Sequence, residues 1–244
     1  MDIYRIINSN MINILQTISG TELAGKYYLA GGTGLALQLR HRISDDLDFF
    51  CYKDDVINNN TIIDIIEELF KSQRLSIDIK KEEQLDMRIN STKVSFISYP
   101  FKPLFPLIKG SSLYAELKGV FVASVKEIAL MKAYTMGRRN TFKDYLDIYF
   151  ILKSRKDIDL SGIIRETGQK YHLEEEKLFS EKLFIEQLTY TADIKDKEES
   201  ISKLLYDNKL SVDDIERFLK LKVSDYINET TIKPNYHKDE GYNL

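Results

Sequence analysis

The sequence predicts an α+β fold in which a mixed sheet with flanking helices is followed by a bundle of helices. Short strand-like runs alternate with helical segments in the first half of the chain. The second half has helical periodicity throughout and contains no proline before Pro234. We therefore predict a first domain over residues 1–123, a helical bundle over 124–227 and a mobile tail over 228–244.

Apolar spacing and turn residues define the elements of the first domain. Apolar side chains recur at helical spacing in three segments, and short apolar or alternating runs predict six strands. The order acid, Leu, acid, Phe after Asp45 is typical of a strand with one polar and one apolar face. Residues 90–92 form a turn between two strands of an antiparallel hairpin. The predicted helices are 3–18, 33–40 and 55–71, and the predicted strands are 27–30, 46–51, 75–80, 84–90, 93–99 and 119–123.

Capping residues indicate where the helices of the second half begin. Ser124 and Glu127 form a capping box in front of one helix, which Gly137 can end. Thr141 and Asp144 begin the next helix in a similar way. The predicted helices run to about Met136, from Thr141, and over 159–169, 174–189, 198–207 and 212–227, the last opened by Ser211 and Asp214.

The composition is that of an ordinary globular protein. The chain has 244 residues, of which 43% are hydrophobic and 30% charged, and a formal net charge of −3. This charge predicts no strong general affinity for nucleic acid, although a local basic patch is compatible with it. Cys51 is the single cysteine, which excludes an intrachain disulfide and a cysteine-rich zinc site. We expect a cytoplasmic protein without a membrane span, because the N-terminus lacks signal-peptide character and no stretch approaches 18 apolar residues.

The segment 29–50, LAGGTGLALQLRHRISDDLDFF, has the features of a phosphate and metal site. Gly31 and Gly32 join a strand to a helix, and glycines let backbone N–H groups approach phosphate oxygens at a helix N-terminus. Asp46 and Asp48 point to the same face of the following strand and can hold one hard cation together. A tight turn and a solvated acidic loop are the structural alternatives, but they do not explain an acid at residue 48 between apolar neighbours.

The side chains around the glycines and acids extend this site. Thr33 is available to a phosphate or as the N-cap of the helix. His41 is expected at the surface, whereas Arg42 suits a phosphate contact or a brace for the acids.

Charged residues also occur on apolar helix faces in the second half. Lys132 falls inside the apolar stripe of its helix, so it either snorkels to solvent or reaches a pocket and pairs with a triphosphate or a carboxylate. Asp144 and Asp147 lie on a largely apolar helix, where an acid needs a partner. Lys132, Arg138 and Arg139 are the candidate partners. Asp144 is either a structural ion pair or a working acid, and Asp147 fits a structural role.

These motifs resemble those of the AbiEii/AbiGii-type toxin nucleotidyltransferases, which belong to the polymerase-β-like superfamily. Segment 29–50 resembles the first motif of that family. The stretch VASVKEIALMKAYTMGRRNTFKDYLDIYFIL and the hairpin with KVSFISYPF also resemble it, in order and spacing. The resemblance covers residues 25–152 and implies a polymerase-β-like nucleotidyltransferase domain in front of the helical bundle.

The resemblance implies a role for each matching residue. Glycines and hydroxyls of the first motif would hold the triphosphate of a nucleotide, and the two acids would bind Mg2+. The implied nucleotide-binding residues are Gly31, Gly32, Thr33, Arg42, Ser44 and Lys132, the implied catalytic residues are Asp46, Asp48, Lys132 and Asp144, and the implied metal ligands are Asp46 and Asp48. The implied activity is transfer of a nucleoside monophosphate from an NTP to a hydroxyl of RNA, such as tRNA, or of protein. Family members often act as bacterial toxins beside a cognate antitoxin, in toxin–antitoxin and abortive-infection systems.

One position departs from the polymerase-β-like pattern. A third carboxylate usually stands on a neighbouring strand, where it binds metal and can activate the attacking hydroxyl. Here the aligned strand carries Ser95, and a neutral serine is a poor metal ligand or base. Asp78, Asp86 or Asp144 could serve instead. Two alternatives therefore stay open: a catalytically silent nucleotide- or RNA-binding module, and a nucleotidyltransferase that modifies small molecules such as antibiotics.

Overall fold

The computed structural model describes residues 2–136, 138–139, 141–205 and 209–232. It contains one seven-stranded sheet, a small two-stranded hairpin and ten α-helices in these residues. The strands are β1 (Tyr28–Leu29), β2 (Asp46–Tyr52), β3 (Leu75–Lys81), β4 (Gln84–Ile89), β5 (Thr92–Tyr99), β6 (Ile108–Lys109), β7 (Phe121–Val122), β8 (His172–Leu173) and β9 (Glu176–Lys177). The helices are α1 (Ser9–Ile18), α2 (Glu22–Lys26), α3 (Gly31–Leu39), α4 (Asn59–Leu69), α5 (Val125–Thr135), α6 (Phe142–Ser154), α7 (Leu160–Lys170), α8 (Glu181–Thr189), α9 (Lys197–Ser202) and α10 (Val212–Ile232).

The large sheet is mixed, and its strand order is β3-β4-β5-β2-β1-β7-β6. Strand β4 is antiparallel to both β3 and β5, and β2 runs parallel to β5 at the centre of the sheet. Strand β1 is antiparallel to β2 and parallel to β7. The predicted α+β class, with a mixed sheet and flanking helices, is therefore confirmed.

The two faces of β2 have different surroundings. Leu47, Phe49 and Cys51 are buried in a hydrophobic core that also contains the apolar side chains of α1 and α4. Asp46 and Asp48 alternate with them and point to the opposite face, as expected for a strand. The core on one side of the sheet thus fixes the direction in which the acids project.

A second hydrophobic core lies among the helices of the second half. It also takes in Tyr28 of β1 and Leu35 of α3, and α3 packs against both α5 and α6. The helix that begins at the glycines therefore lies between the sheet and the helical half. The division of the chain into domains at residue 123 stays a prediction. No helix among the described residues is long and apolar enough to cross a membrane.

Three predicted elements of the first half have different bounds in the structure. The helix predicted over 3–18 is interrupted, because the side chain of Asn8 accepts a hydrogen bond from the backbone N–H of Met11 at 2.9 Å and starts α1 there. Asn58 caps α4 in the same way and delays its start to Asn59. Helix α3 begins at Gly31 rather than at Thr33.

The second half departs from prediction in its loops. Instead of a helix over 174–189, residues 172–177 form the β8–β9 hairpin, in which Glu174 takes a left-handed conformation with φ of 54°. Ser180 then caps α8. Helix α9 ends at Ser202, and α10 continues to Ile232, so residues 228–232 are helical rather than a tail. Gly137 and the rest of the predicted tail lie outside the described residues.

The hydrogen bonds at two predicted helix caps differ in part from the prediction. The Ser124 hydroxyl accepts from the backbone N–H of Glu127 at 3.2 Å, as predicted. The Glu127 carboxylate does not return to Ser124 but accepts from two backbone N–H groups of the loop after β5 and pairs with Lys170. The cap of α6 comes from a distant residue, because Asp196 accepts from the hydroxyl of Thr141 at 2.8 Å and from the N–H of Phe142 at 2.9 Å.

We expect Glu127→Ala to lower the free energy of unfolding by about 3–5 kcal/mol, because it leaves the buried ammonium of Lys170 without its carboxylate partner and two loop N–H groups without their acceptor. Urea unfolding measures this loss. The exposed Glu68→Ala serves as the matched control and changes little. An equally small effect of Glu127→Ala would show that the buried pair does not anchor the loop.

Candidate active site

The glycine turn is closely packed against two charged side chains. Gly31 has a φ of 59°, which non-glycine residues rarely adopt, and a Cβ there would collide with Oδ2 of Asp48. A Cβ at Gly32 would collide with Nη2 of Arg42. The backbone N–H of Ala30 donates to the carbonyl of Asp48 at 2.9 Å. The start of α3 is therefore held directly beside the second acid of β2.

The hydroxyls of Thr33 and Ser44 join α3 to the start of β2. The Thr33 hydroxyl is buried, hydrogen bonds with the Ser44 hydroxyl at 2.7 Å and contacts the backbone carbonyl of Asp46. Thr33 is thus the third residue of the helix and not its N-cap, which is Ala30 without a side-chain bond. Ser44 is buried beside it. Both residues position the backbone of the first acid.

Asp46 and Asp48 stand together on the polar face of β2. Neither forms an ion pair with another described residue, and burial together with the neighbouring carboxylate of Asp46 raises the pKa of Asp48. They open into a cleft of about 180 Å3 between the sheet and the helical half. Its lining residues are Gly32, Thr33, Arg42, Ser44, Asp45, Asp46, Asp48, Arg139, Thr141, Lys143 and Asp144.

A buried carboxylate on α6 connects the two halves of the chain. Asp147 accepts two hydrogen bonds from the guanidinium of Arg42, at 2.8 and 3.0 Å, and one from Nε2 of His41 at 2.8 Å. Oδ2 of Asp147, which accepts one of the two bonds from Arg42, also lies 2.7 Å from Nζ of Lys132. Despite the cost of burial, Arg42 and Lys132 hold the pKa of Asp147 well below its usual range. Asp147 is therefore structural, as expected, and His41 is buried rather than at the surface.

The same network extends to the cleft through Asp144. Its carboxylate lies 2.6 Å from Nζ of Lys132 and forms two hydrogen bonds with the guanidinium of Arg139, at 2.7 and 2.8 Å. These two cations lower the pKa of Asp144 against the effect of burial. Of the three predicted partners, Arg138 instead bonds to backbone carbonyls of Tyr134 and Leu178.

The cleft has a basic side that the sequence did not single out. The side chain of Arg139 is 54% exposed while its guanidinium is fixed by Asp144, and Lys143 lines the same wall. Arg139 follows α5 and Lys143 lies in the first turn of α6, and this cluster of basic residues is the sequence signal that indicates both. Lys132 is buried behind Asp144 and does not line the cleft.

The candidate third acids have other partners. Ser95 on β5 pairs in register with Asp48 on one side and with Asp86 of β4 on the other. Asp86 lies 2.8 Å from Nζ of Lys93 and accepts from Gln84 at 2.9 Å. Asp78 pairs with Arg88 at 2.9 Å, near the edge of the sheet. Among the described residues there is no group of three acidic, histidine or cysteine side chains placed to hold one metal ion.

Asp45 also has a partner, although it precedes the two acids in sequence. Its carboxylate lies 2.6 Å from Nζ of Lys203, in the segment after α9. The backbone N–H of Ile43 donates to the carbonyl of Lys203 at 2.9 Å. This leaves Asp46 and Asp48 as the pair of carboxylates that faces the cleft beside the glycine turn.

A glycine turn at a helix start, two same-face acids on the next strand and an opposing basic wall together define the nucleotidyltransferase class of site. The sequence profile of the family described as "Nucleotidyl transferase AbiEii toxin, Type IV TA system" matches residues 13–220 of the chain. The chain therefore belongs to the AbiEii nucleotidyltransferase toxin family, which confirms the predicted resemblance.

The individual proteins that the chain resembles have low sequence identity to it. A protein of Aquifex aeolicus (strain VF5), described as uncharacterised, is 26% identical over 213 residues, which cover 87% of this chain and 94% of its own length. The solution structure of the antibiotic-resistance factor ANT(2'')-Ia is 9% identical and covers 66% of this chain and 91% of its own, with a TM-score of 0.49. MenT4, a nucleotidyltransferase toxin of Mycobacterium tuberculosis H37Rv, is 14% identical over 88% of this chain and 90% of its own, with a TM-score of 0.43.

We expect Gly31→Ala to lower the free energy of unfolding by at least about 1 kcal/mol, because alanine is strained at positive φ and its Cβ displaces Asp48. Gly25→Ala is the matched control, since its Cβ meets open space in α2. Urea unfolding compares the two variants. Equal stability of both would contradict the close approach of Asp48 to the turn.

We expect Asp48→Asn and Asp147→Asn to change stability in opposite directions at pH 7 in metal-free buffer. The raised pKa of Asp48 means that its ionised form destabilises the fold at neutral pH, and this effect disappears below about pH 4, where both states are protonated. The depressed pKa of Asp147 means that its stabilisation is present above about pH 4 and is lost as the pH falls through the folded-state pKa.

Urea unfolding between pH 4 and 8 therefore shows a more stable Asp48→Asn protein and an Asp147→Asn protein weaker by about 3–5 kcal/mol at pH 7. The exposed Asp64→Asn on α4 is the control and follows the parent protein. A loss of stability in Asp48→Asn would show that the acid is compensated within the fold.

Proposed function

We propose that the protein transfers a nucleoside monophosphate from an NTP to a hydroxyl of RNA or protein, as the toxin of a toxin–antitoxin or abortive-infection system. The observation that carries this proposal is the pair Asp46 and Asp48, which has no cationic partner among the described residues and stands beside the glycine turn in a member of the AbiEii family. Burial and the neighbouring carboxylate of Asp46 raise the pKa of Asp48, so ionised Asp48 costs folding free energy, and selection for a bound cation explains why an acid is retained there.

The donor atoms of this pair fit Mg2+. Both ligands are carboxylate oxygens, which hard divalent cations prefer, and a cation relieves the repulsion that raises the pKa of Asp48. Asp46 and Asp48 are therefore the residues that would hold the ion. When bound, Mg2+ would supply positive charge for the phosphate oxygens of the reacting nucleotide.

The remaining polar groups of the cleft suit a triphosphate. The N-terminus of α3, at Gly31 and Gly32, offers backbone N–H groups and a favourable dipole. Arg139 and Lys143 face it from the helical half and provide side-chain donors for phosphate oxygens. In this proposal Lys132 acts through its charge and through Asp144, which fixes the Arg139 guanidinium.

The reaction is an in-line displacement at the α-phosphorus. The acceptor hydroxyl oxygen forms a bond to phosphorus while the bond from phosphorus to the bridging oxygen of pyrophosphate breaks. Pyrophosphate leaves with the bonding electron pair, and the hydroxyl proton passes to solvent. The residues of the cleft contribute by holding the nucleotide and by compensating the charge that develops on the phosphate and leaving group.

The toxin role follows from the family, whose description specifies a type IV toxin–antitoxin system. We propose a cognate antitoxin as a partner and the cytoplasm, where NTP and RNA are present, as the compartment. A catalytically silent nucleotide-binding module is the second candidate, favoured by Ser95 and by the engagement of Asp86 with Lys93.

The transfer assay separates the two candidates. The protein is incubated with each α-labelled NTP, Mg2+, and cellular RNA or protein extract, and label on either macromolecule is measured. We expect transfer that falls at least about 100-fold in Asp46→Asn and Asp48→Asn, since each removes a carboxylate ligand of the cation that would compensate the charge of the reacting phosphates.

The matched control is Asp64→Asn on the far side of the sheet, which should keep the parent rate. Transfer that survives both cleft substitutions would exclude Asp46 and Asp48 as metal ligands. Nucleotide binding without transfer to any acceptor would favour the silent module. The labelled macromolecule identifies the acceptor class.

A further inference from the structure

We propose that Lys93 is a further catalytic residue, whose ammonium, held by Asp86, supplies the positive charge that two-metal nucleotidyltransferases obtain from a second cation. The site would then work with a single divalent ion on Asp46 and Asp48. This inference rests on the proposed function, and it explains how the chain dispenses with an acid at Ser95.

The register of the sheet brings Lys93 to the first acid. In the parallel pair β2 and β5, Asp46 stands opposite Lys93 and Asp48 opposite Ser95. Side chains of paired residues project to the same face, and neighbouring strands lie about 4.8 Å apart. The lysine therefore starts one strand away from the proposed metal ligands and on their side of the sheet.

Asp86 holds the ammonium in place. Nζ of Lys93 lies 2.8 Å from Oδ2 of Asp86, whose side chain is only 2% exposed. Gln84 donates a hydrogen bond to the same carboxylate at 2.9 Å, Ser95 stands opposite it in the sheet, and its pKa is lowered despite burial. The Lys93 side chain is 34% exposed, so the fixed ammonium remains accessible from the open face of the sheet.

The charges that β5 presents beside Asp46 and Asp48 differ from those of a site with three carboxylates. Ser95 offers no carboxylate on β5 to a second divalent cation, and Lys93 of the same strand presents a positive charge. Burial opposes ionisation of Lys93, yet Asp86, Asp48 and Asp46 raise its pKa above the usual value. Lys93 is thus protonated on the face of the sheet that carries Asp46 and Asp48, and it cannot serve as the base.

In the transfer reaction Lys93 would donate a hydrogen bond to the attacking oxygen. The ammonium stabilises negative charge that develops there as the bond to the α-phosphorus forms, while the hydroxyl proton still passes to solvent. Asp86 is then a positioning residue, which acts only through the lysine. The polar face of β5 and β4 is the side from which the acceptor would approach.

Metal stoichiometry tests this proposal independently of activity. Mn2+ is titrated into the full chain with NTP analogues that carry a methylene bridge between the α- and β-phosphorus, one for each base, and bound ion is counted by electron paramagnetic resonance. We expect one Mn2+ per chain. Two ions per chain with magnetic coupling would overturn the role of Lys93 and leave the proposed function intact.

Variants then separate catalysis from structure. Lys93→Met should bind Mn2+ several-fold more tightly, because a neighbouring cation is lost, and should transfer label about 100-fold more slowly. Lys93→Arg should keep both properties closer to the parent protein, and Asp86→Asn should slow transfer without adding a second Mn2+. The exposed Lys71→Met, in the turn after α4, is the matched control and should change neither quantity.

The possible results distinguish failure of the role of Lys93 from failure of the metal assignment to Asp46 and Asp48. Unchanged Mn2+ affinity and unchanged transfer in Lys93→Met would overturn the proposal even if the parent protein binds one ion. If the parent protein binds no Mn2+ with any analogue, the metal assignment to Asp46 and Asp48 fails, and the role of Lys93 fails with it. Urea unfolding of each variant verifies that the fold is kept.

Discussion

The arrangement of the site depends on one buried carboxylate, that of Asp147. A buried charge that solvent does not reach must be compensated by neighbouring groups. Arg42, His41 and Lys132 surround this carboxylate with hydrogen bonds and positive charge. Two of these partners precede β2 in the chain and the third belongs to α5, so one carboxylate joins the segment that carries the acids to the helical half. Separating the halves would leave several buried charges uncompensated, at a cost of several kcal/mol.

Arg42 transmits this constraint to the glycine turn. Its guanidinium, fixed by Asp147, lies where a side chain of residue 32 would begin, and Asp48 lies where a side chain of residue 31 would begin. The turn is therefore enclosed between a cation and an acid that other parts of the fold hold in place. The packing that requires glycine also brings the helix N-terminus beside the acids, so the tight structural turn and the proposed phosphate-binding turn need the same residues.

The sequence was sufficient where structure depends on near neighbours. The alternation of β2, the 90–92 turn and the Ser124 cap are local, and the glycine turn and acids lie within one segment of 22 residues. The sequence was insufficient where a polar group bonds to a partner that is distant in the chain. Glu127 binds a loop and Lys170 instead of completing its capping box, and the Arg139 side of the cleft depends on the packing of α6 against α3. Such partners are set by tertiary contacts that periodicity does not encode.

The proposed role of Lys93 gives the polar face of the central strands a way to work without an acid at residue 95. Asp48, Ser95 and Asp86 form one row across β2, β5 and β4, with strands about 4.8 Å apart. A carboxylate at the middle position would stand between two others, with Lys93 as the nearest cation on β5. The neutral serine adds no charge beside Asp86, which pairs with the lysine. An acid at residue 95 with a second metal, and a lysine at residue 93 without one, are therefore alternative solutions to the same electrostatic problem, and this chain has the residues of the second.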